Sequence, residues 1–112
     1  MSVEPIYIGA MHVTLIIPGA RTRKDKRQVV RSLTDRIKSR FDVSCHLLGE
    51  GEHPGRQRLV LTTGGKDLSE VKRHFDKIRS FLDSFGLAWP GTIDIETFSW
   101  HPSDAPMEKF NV

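Results

Sequence analysis

The stretch LIIPGARTRKDKRQVVRSL, residues 15–33, contains the change of period on which the fold turns. Up to Ile17 the pattern is that of a strand. Met11, Val13, Leu15 and Ile17 alternate with His12, Thr14 and Ile16, a period of two with one apolar face, which predicts a strand over 6–17. Pro18 and Gly19 end it. Thr22 and Asp25 then stand three residues apart in the pattern of a capping box, the hydroxyl serving the first turn and the carboxylate reaching back. From there Val29, Val30, Leu33, Ile37 and Phe41 recur at helical spacing, which predicts an amphipathic helix of about five turns.

Working outward, DVSCHLL (42–48) alternates again, with Val43, Cys45 and Leu47 on one side and Ser44, His46 and Leu48 on the other. GEGEHPGRQ (49–57) is rich in turn formers, and RLVLTT (58–63) resumes a strand, so the two form a hairpin with a long tip. Asp67 and Glu70 open a second helix, in which Leu68, Val71, Phe75, Ile78, Leu82 and Phe85 keep helical spacing up to a glycine stop at Gly86. TIDIETFSW (92–100) alternates once more. Residues 101–112 carry two prolines and no period, and read as a tail behind a single domain over 1–100.

The order β-α-β-β-α-β leaves two helices with apolar stripes to bury. An antiparallel sheet with both helices on one face does this, the α+β ferredoxin-like arrangement, with strands in the order 4-1-3-2. The expected core is Val13, Leu15, Val30, Leu33, Ile37, Val43, Leu59, Leu61, Val71, Phe75, Ile78, Leu82 and Ile93. The other face of the sheet stays open and should carry His12, Thr14, Ser44, His46, Arg58, Thr62, Asp94 and Glu96. Ile16, Leu48 and Val60 share it, and apolar residues on a wet face point to a homodimer through that face or through an edge strand.

Composition bounds the rest. The 112 residues are 38% hydrophobic and 28% charged, as in a globular domain. The longest apolar run, IYIGAMHVTLII, has twelve residues with no basic region before it, short of the ~18 that a membrane span needs. A cytoplasmic location without membrane association is the expectation. One cysteine, Cys45, excludes an internal disulfide framework and fits a small buried apolar residue.

Charge is distributed unevenly. Residues 21–40 hold nine cations against two acids, while the remaining eight cations meet twelve acids. Arg21, Arg23, Lys24 and Lys26 crowd a helix N-terminus, where positive charge opposes the helix dipole. Two readings stand: a well-solvated helix face, or an anion site in which free backbone N–H groups and Arg forks converge on phosphate. The second helix is balanced by the i,i+4 pairs Lys72–Asp76 and Arg79–Asp83, so the unbalanced field favours the anion site. The residues expected to contact phosphate are Arg21, Arg23, Lys24, Lys26, Arg27 and Arg31, with Arg27 bordering the apolar stripe. The partner expected from this is RNA or the ribosome.

Other constellations carry less. The five histidines lie on different elements, and His12 with His46 lacks a third ligand, so no metal is expected. His12 with Asp94 and Glu96 reads as a polar strand face before it reads as acid–base machinery. GEHPGRQR lacks the ending of a phosphate-binding loop. The central strands offer only Tyr7, on the other parity, for base stacking. No catalytic residue and no cofactor is expected.

The segment IPGARTRKDKRQVVRSLTDRIKSRFDVS resembles the signature of the YlxP-like family of small bacterial proteins of unknown function. Pro18, Gly19, Ala20, Lys24, Lys26, Arg27, Arg40, Phe41, Val43 and Ser44 fall on its pattern, and Gln57-Arg58 fits before the third strand. Thr22-Arg23 replaces the usual Ser-Leu, Asp42 replaces Asn, and the acidic end of the second strand is missing. The resemblance implies a ferredoxin-like fold and a link with translation or ribosome maturation. Acylphosphatases share that fold, but they need a glycine-rich phosphate turn and an asparagine, and the one asparagine here is Asn111 in the tail.

Overall fold

The change of period at Pro18 is where the first strand hands over to the first helix. The structure, a computed structural model, describes residues 4–49 and 53–102. The elements are β1 (Ile6–Ile16), α1 (Arg23–Arg40), β2 (Ser44–Leu48), β3 (Arg56–Gly65), α2 (Leu68–Ser84) and β4 (Trp89–Trp100). Four antiparallel strands form one sheet in the order β2-β3-β1-β4, with both helices on one face, a ferredoxin-like fold. Most of the expected tail, residues 103–112, lies outside the described residues.

Each start and stop has a local cause. Thr22 caps α1 in extended conformation, accepting the Asp25 N–H at its hydroxyl while the Asp25 carboxylate accepts the Thr22 N–H. Asp67 caps α2 by accepting the Glu70 N–H at 2.8 Å. Gly86 follows α2 at φ 92°, a left-handed position that suits glycine.

The register fixes the faces. Met11 lies opposite Leu61, Val13 opposite Leu59, and all four are fully buried beneath the helices. Leu15, Val30, Leu33, Ile37, Val71, Phe75, Ile78 and Leu82 complete the expected core, joined by Met11, Ile17, Phe81 and Ala88. Val43 and Ile93 correct the expectation: they are half-buried, because they flank the core along the outer strands, where one side of the sheet has no neighbour.

Gly9 marks a close helix–sheet approach. A Cβ there would lie 2.5 Å from Val71 Cγ1 and 2.6 Å from Phe75 Cε2, so α2 sits on β1 where β1 has no side chain. At the far end of the helices, Phe41 meets Phe81 edge-on at 5.8 Å, and Phe81 meets Phe85 at 6.0 Å.

The fourth strand begins at Trp89 rather than Thr92. Thr14 faces Thr92 while Leu15 faces Pro90, so Gly91 is an extra residue, a β-bulge. Pro90-Gly91 resembles a turn in sequence and is a bulge in the sheet.

Candidate anion-binding groove

The cations of α1 divide into three groups by helical rotation and by what each face meets. On the side toward α2, Arg36 stacks over the Phe85 ring and Arg40 over the Phe81 ring, each 5.4 Å from the centroid. These two guanidinium groups cover aromatic carbon at the helix–helix seam.

On the side toward β2, Arg23, Arg27, Arg31 and Lys38 line a continuous groove between α1 and the edge strand. Its two lobes, of about 350 and 430 Å3, share Lys26, Arg27, Leu47 and Gln57 as walls. Arg23, Arg27 and Arg31 follow at i,i+4 spacing, about 6 Å apart along the axis. Asp35 is the carboxylate among these lining residues, and Leu47, 52% exposed, supplies an apolar floor. Gln57 is buried at the groove base, donating from Nε2 to the Gly49 carbonyl at 3.3 Å and to the Arg58 carbonyl at 2.8 Å. The bond to Gly49 ties the start of the β2–β3 connection to the groove wall.

The third group is the helix start, and here two expectations need correction. The donors expected to be free at the N-terminus are partly taken. The Asp25 carboxylate accepts the N–H groups of Arg21 (3.1 Å) and Thr22 (3.2 Å), and Thr22 takes the Asp25 N–H. The Arg21 N–H and then the Thr22 hydroxyl hold the Asp25 carboxyl below the usual carboxylate range. An incoming anion would meet an anion already seated there.

Lys26 is the second correction. It is 4% exposed, and its Nζ donates to the His53 carbonyl at 3.4 Å, bracing the hairpin against α1. The residue that borders the core is therefore Lys26, while Arg27 is exposed. The signal was present in the sequence: Lys26 lies four residues before Val30 on the stripe that continues to Leu33 and Ile37. Of the residues expected to meet phosphate, Arg23, Arg27 and Arg31 share the groove, Arg21 and Lys24 are exposed at the helix start outside its lining, and Lys26 is part of its wall. Lys38, which helical rotation places on one side of α1 with Arg27 and Arg31, joins them in the groove although it was not among the expected phosphate contacts.

Cys45, on the helix-facing side of β2, is half-buried; desolvation pushes its thiol upward, against a smaller opposite pull from the Lys38 charge. A depression of about 400 Å3 at the start of α2 is lined by Lys66, Asp67, Glu70, Arg73, His74 and Lys77. Three cations meet two carboxylates there, and Asp67 and Glu70 already accept the Glu70 and Lys66 N–H groups. Its charge excess is much smaller than that of the α1 groove, where five cations meet one carboxylate.

On the open sheet face His12 sits between neighbours on both sides. Arg58 Nε donates to His12 Nε2 at 3.0 Å, which leaves Nδ1 to carry the proton toward Asp94 Oδ2 at 3.4 Å. With Nε2 occupied by a cationic donor, the imidazole is a polar bridge across three strands rather than a poised base. Among the described residues no group of three or more His, Cys, Asp or Glu side chains is gathered as metal ligands would be, and no helix is long and apolar enough to cross a membrane.

A family model described as "Protein of unknown function (DUF503)" matches residues 8–89. No curated protein matches the chain. Among solved structures, a Bacillus cereus protein described as an antibiotic biosynthesis monooxygenase is 13% identical, covering 90% of this chain and 98% of that one at a TM-score of 0.43. A Nitrosomonas europaea protein of the same description is 10% identical, with 91% and 93% covered and a TM-score of 0.42. The designed protein Foldit4 is 10% identical, with 89% and 100% covered and a TM-score of 0.43.

Proposed function

The chain belongs to the DUF503 family of proteins of unknown function, and from that premise we propose that it is a non-enzymatic binding module that holds RNA phosphates in the groove between α1 and β2. One observation carries the reading: Arg23, Arg27, Arg31 and Lys38 line a single groove in which Asp35 is the carboxylate opposing them. Three Arg forks at one-turn spacing present paired N–H donors to successive phosphate oxygens, a geometry that a single Lys charge would not match. Leu47 offers apolar surface for a ribose or a base face, and interactions of this kind fix position on a backbone while reading little sequence. The YlxP-like pattern over residues 17–44 supports a cytosolic partner in translation, with structured ribosomal RNA the substrate class that fits.

The test is binding of structured RNA and of ribosomal subunits across a salt series. Affinity of the parent should fall steeply with salt, because bound cations displace condensed counterions. The set Arg23→Ala, Arg27→Ala and Arg31→Ala should lower the slope by about 0.7–0.9 for each phosphate that is no longer neutralised. A control set on α2, Lys72→Ala with Lys77→Ala, should leave it unchanged. Equal binding by parent and groove variant at low salt, with the fold intact by circular dichroism, would overturn the reading.

A further inference from the structure

The open face of the sheet is sorted by charge across its width. Arg58 stands on β3, one strand from the centre, and Asp94 stands on β4, one strand away on the other side. Both are exposed. His12 on the central strand bonds each of them through one nitrogen, which leaves the terminal guanidinium nitrogens of Arg58 and the second oxygen of Asp94 for other partners. Apolar groups lie along the same face: Ile8 is 37% and Phe98 50% exposed, paired across β1 and β4, and Ile16 is half-buried nearer the bulge. Beside Ile8 on β3 is Gly64, exposed and without a side chain.

We propose that this face is covered by a second copy of the chain, packed sheet on sheet about a two-fold axis running along β1. Such an axis lays β1 on the partner's β1 and sets each β3 over the partner's β4. Ile8 then meets its own copy, and so does Ile16. Arg58 comes opposite the partner's Thr92 and one pleat repeat, about 7 Å, from the partner's Asp94, within reach of a long guanidinium side chain. The ring of Phe98 falls over the bare backbone at the partner's Gly64. The Arg58 and Phe98 pairings each occur twice and the Ile8 and Ile16 self-pairings once, on the axis, as a closed two-fold interface requires. Leu48, on β2, is left at the margin.

A rotation axis across the strands instead would set Arg58 against β3 and Asp94 against β4 of the other copy, like charge facing like, so charge selects between the two arrangements. The face is about 19 Å wide and roughly 35 Å long from strand spacing and rise, which brings it near the ~800 Å2 per partner of a standard interface. The α1 groove lies on the helix side of the sheet, so it remains open in the dimer, and the proposal stands or falls apart from RNA binding.

Light scattering on the full chain at high micromolar concentration, with circular dichroism for folding, tests it by charge exchange. The parent should run at twice its 12.7 kDa. Arg58→Glu alone and Asp94→Lys alone should each run at monomer mass, since each sets like charge against like in its own dimer. An equimolar mixture of the two variants should regain dimer mass, because positions 58 and 94 then carry opposite charges across the interface, and the double variant should regain it by itself. A monomeric parent overturns the proposal. So do single variants that stay dimeric, and so does a mixture of folded variants that fails to recover.

Discussion

The two helices rest on one sheet face and begin with the same device, an extended cap residue and an acid three residues or fewer into the first turn, yet they are built for different loads. All five buried positions of α2 are apolar: Val71, Phe75, Ile78, Phe81 and Leu82. Two of the five buried positions of α1 are Lys26 and Thr34. Over its length α1 carries eight cations and two acids, and α2 carries four cations and three acids. One helix is held to the sheet by hydrocarbon. The other gives part of its inner face to a buried ammonium and its outer face to a groove of guanidinium groups, the feature on which the proposed binding role rests.

The largest test of this contrast is truncation in the core. Phe75→Ala, at a site 2% exposed that fills the space over Gly9, should cost about 3–5 kcal/mol, and Leu33→Ala on α1, fully buried, about 2–5 kcal/mol. Urea denaturation measures both. A greater loss at Leu33 than at Phe75 would make α1 the better-anchored helix and reverse the comparison.

Smaller, and opposite in sign, is the effect of removing charge. Arg23→Ala with Lys24→Ala takes two exposed cations from the positive end of α1 and should stabilise the protein by about 0.3–1 kcal/mol at low salt, fading as salt rises. The corresponding pair on α2, Lys72→Ala with Lys77→Ala, lies away from the helix start and should bring no such gain. Equal responses in the two helices would remove the case that α1 gives up stability to keep its cations.

The smallest effect should be shared by both helices. The carboxyls of Asp25 and Asp67 are each held below the ordinary value, Asp25 chiefly by the Arg21 N–H and Asp67 chiefly by the Ser69 hydroxyl. Their contribution is complete above the unfolded carboxylate value near ~3.9 and is lost as pH falls through the lower folded values. Asp25→Asn and Asp67→Asn should each flatten the acid side of the stability profile and leave neutral pH least changed in slope. A flattening confined to one variant would mean that the helices differ at their ends as well as along their faces.

Most of the fold was legible because each element kept its own period. Strands of period two and helices of period 3.6 alternate with glycine and proline between them, and topology follows from the need to cover one sheet face. What was not legible depends on how elements meet. Pro90-Gly91 resembles a turn until β1 is seen to continue past it. The capping box puts the Asp25 carboxylate against the Thr22 N–H, but that it also takes the Arg21 N–H shows only in the structure. The groove needed β2, since helical rotation alone puts Arg31 and Lys38 on one side without showing that Leu47 and Gln57 form the opposite wall. Phe98 and Ile8 were in plain view as alternating residues, but only the register of β1 on β4 makes them neighbours on the open face.

The bulge at Gly91 has a further consequence, for solubility. β4 is a twelve-residue strand at the edge of the sheet, and a long regular edge is a template on which further chains could add strand by strand. Gly91 breaks the repeat, and Pro90 beside it brings no N–H to a ladder on either side. Any strand added from outside would find regular pairing over 92–100 and lose it at Pro90. Growth into an open ribbon is thereby interrupted by two residues at one end of the strand, in keeping with the closed dimer proposed for the open face.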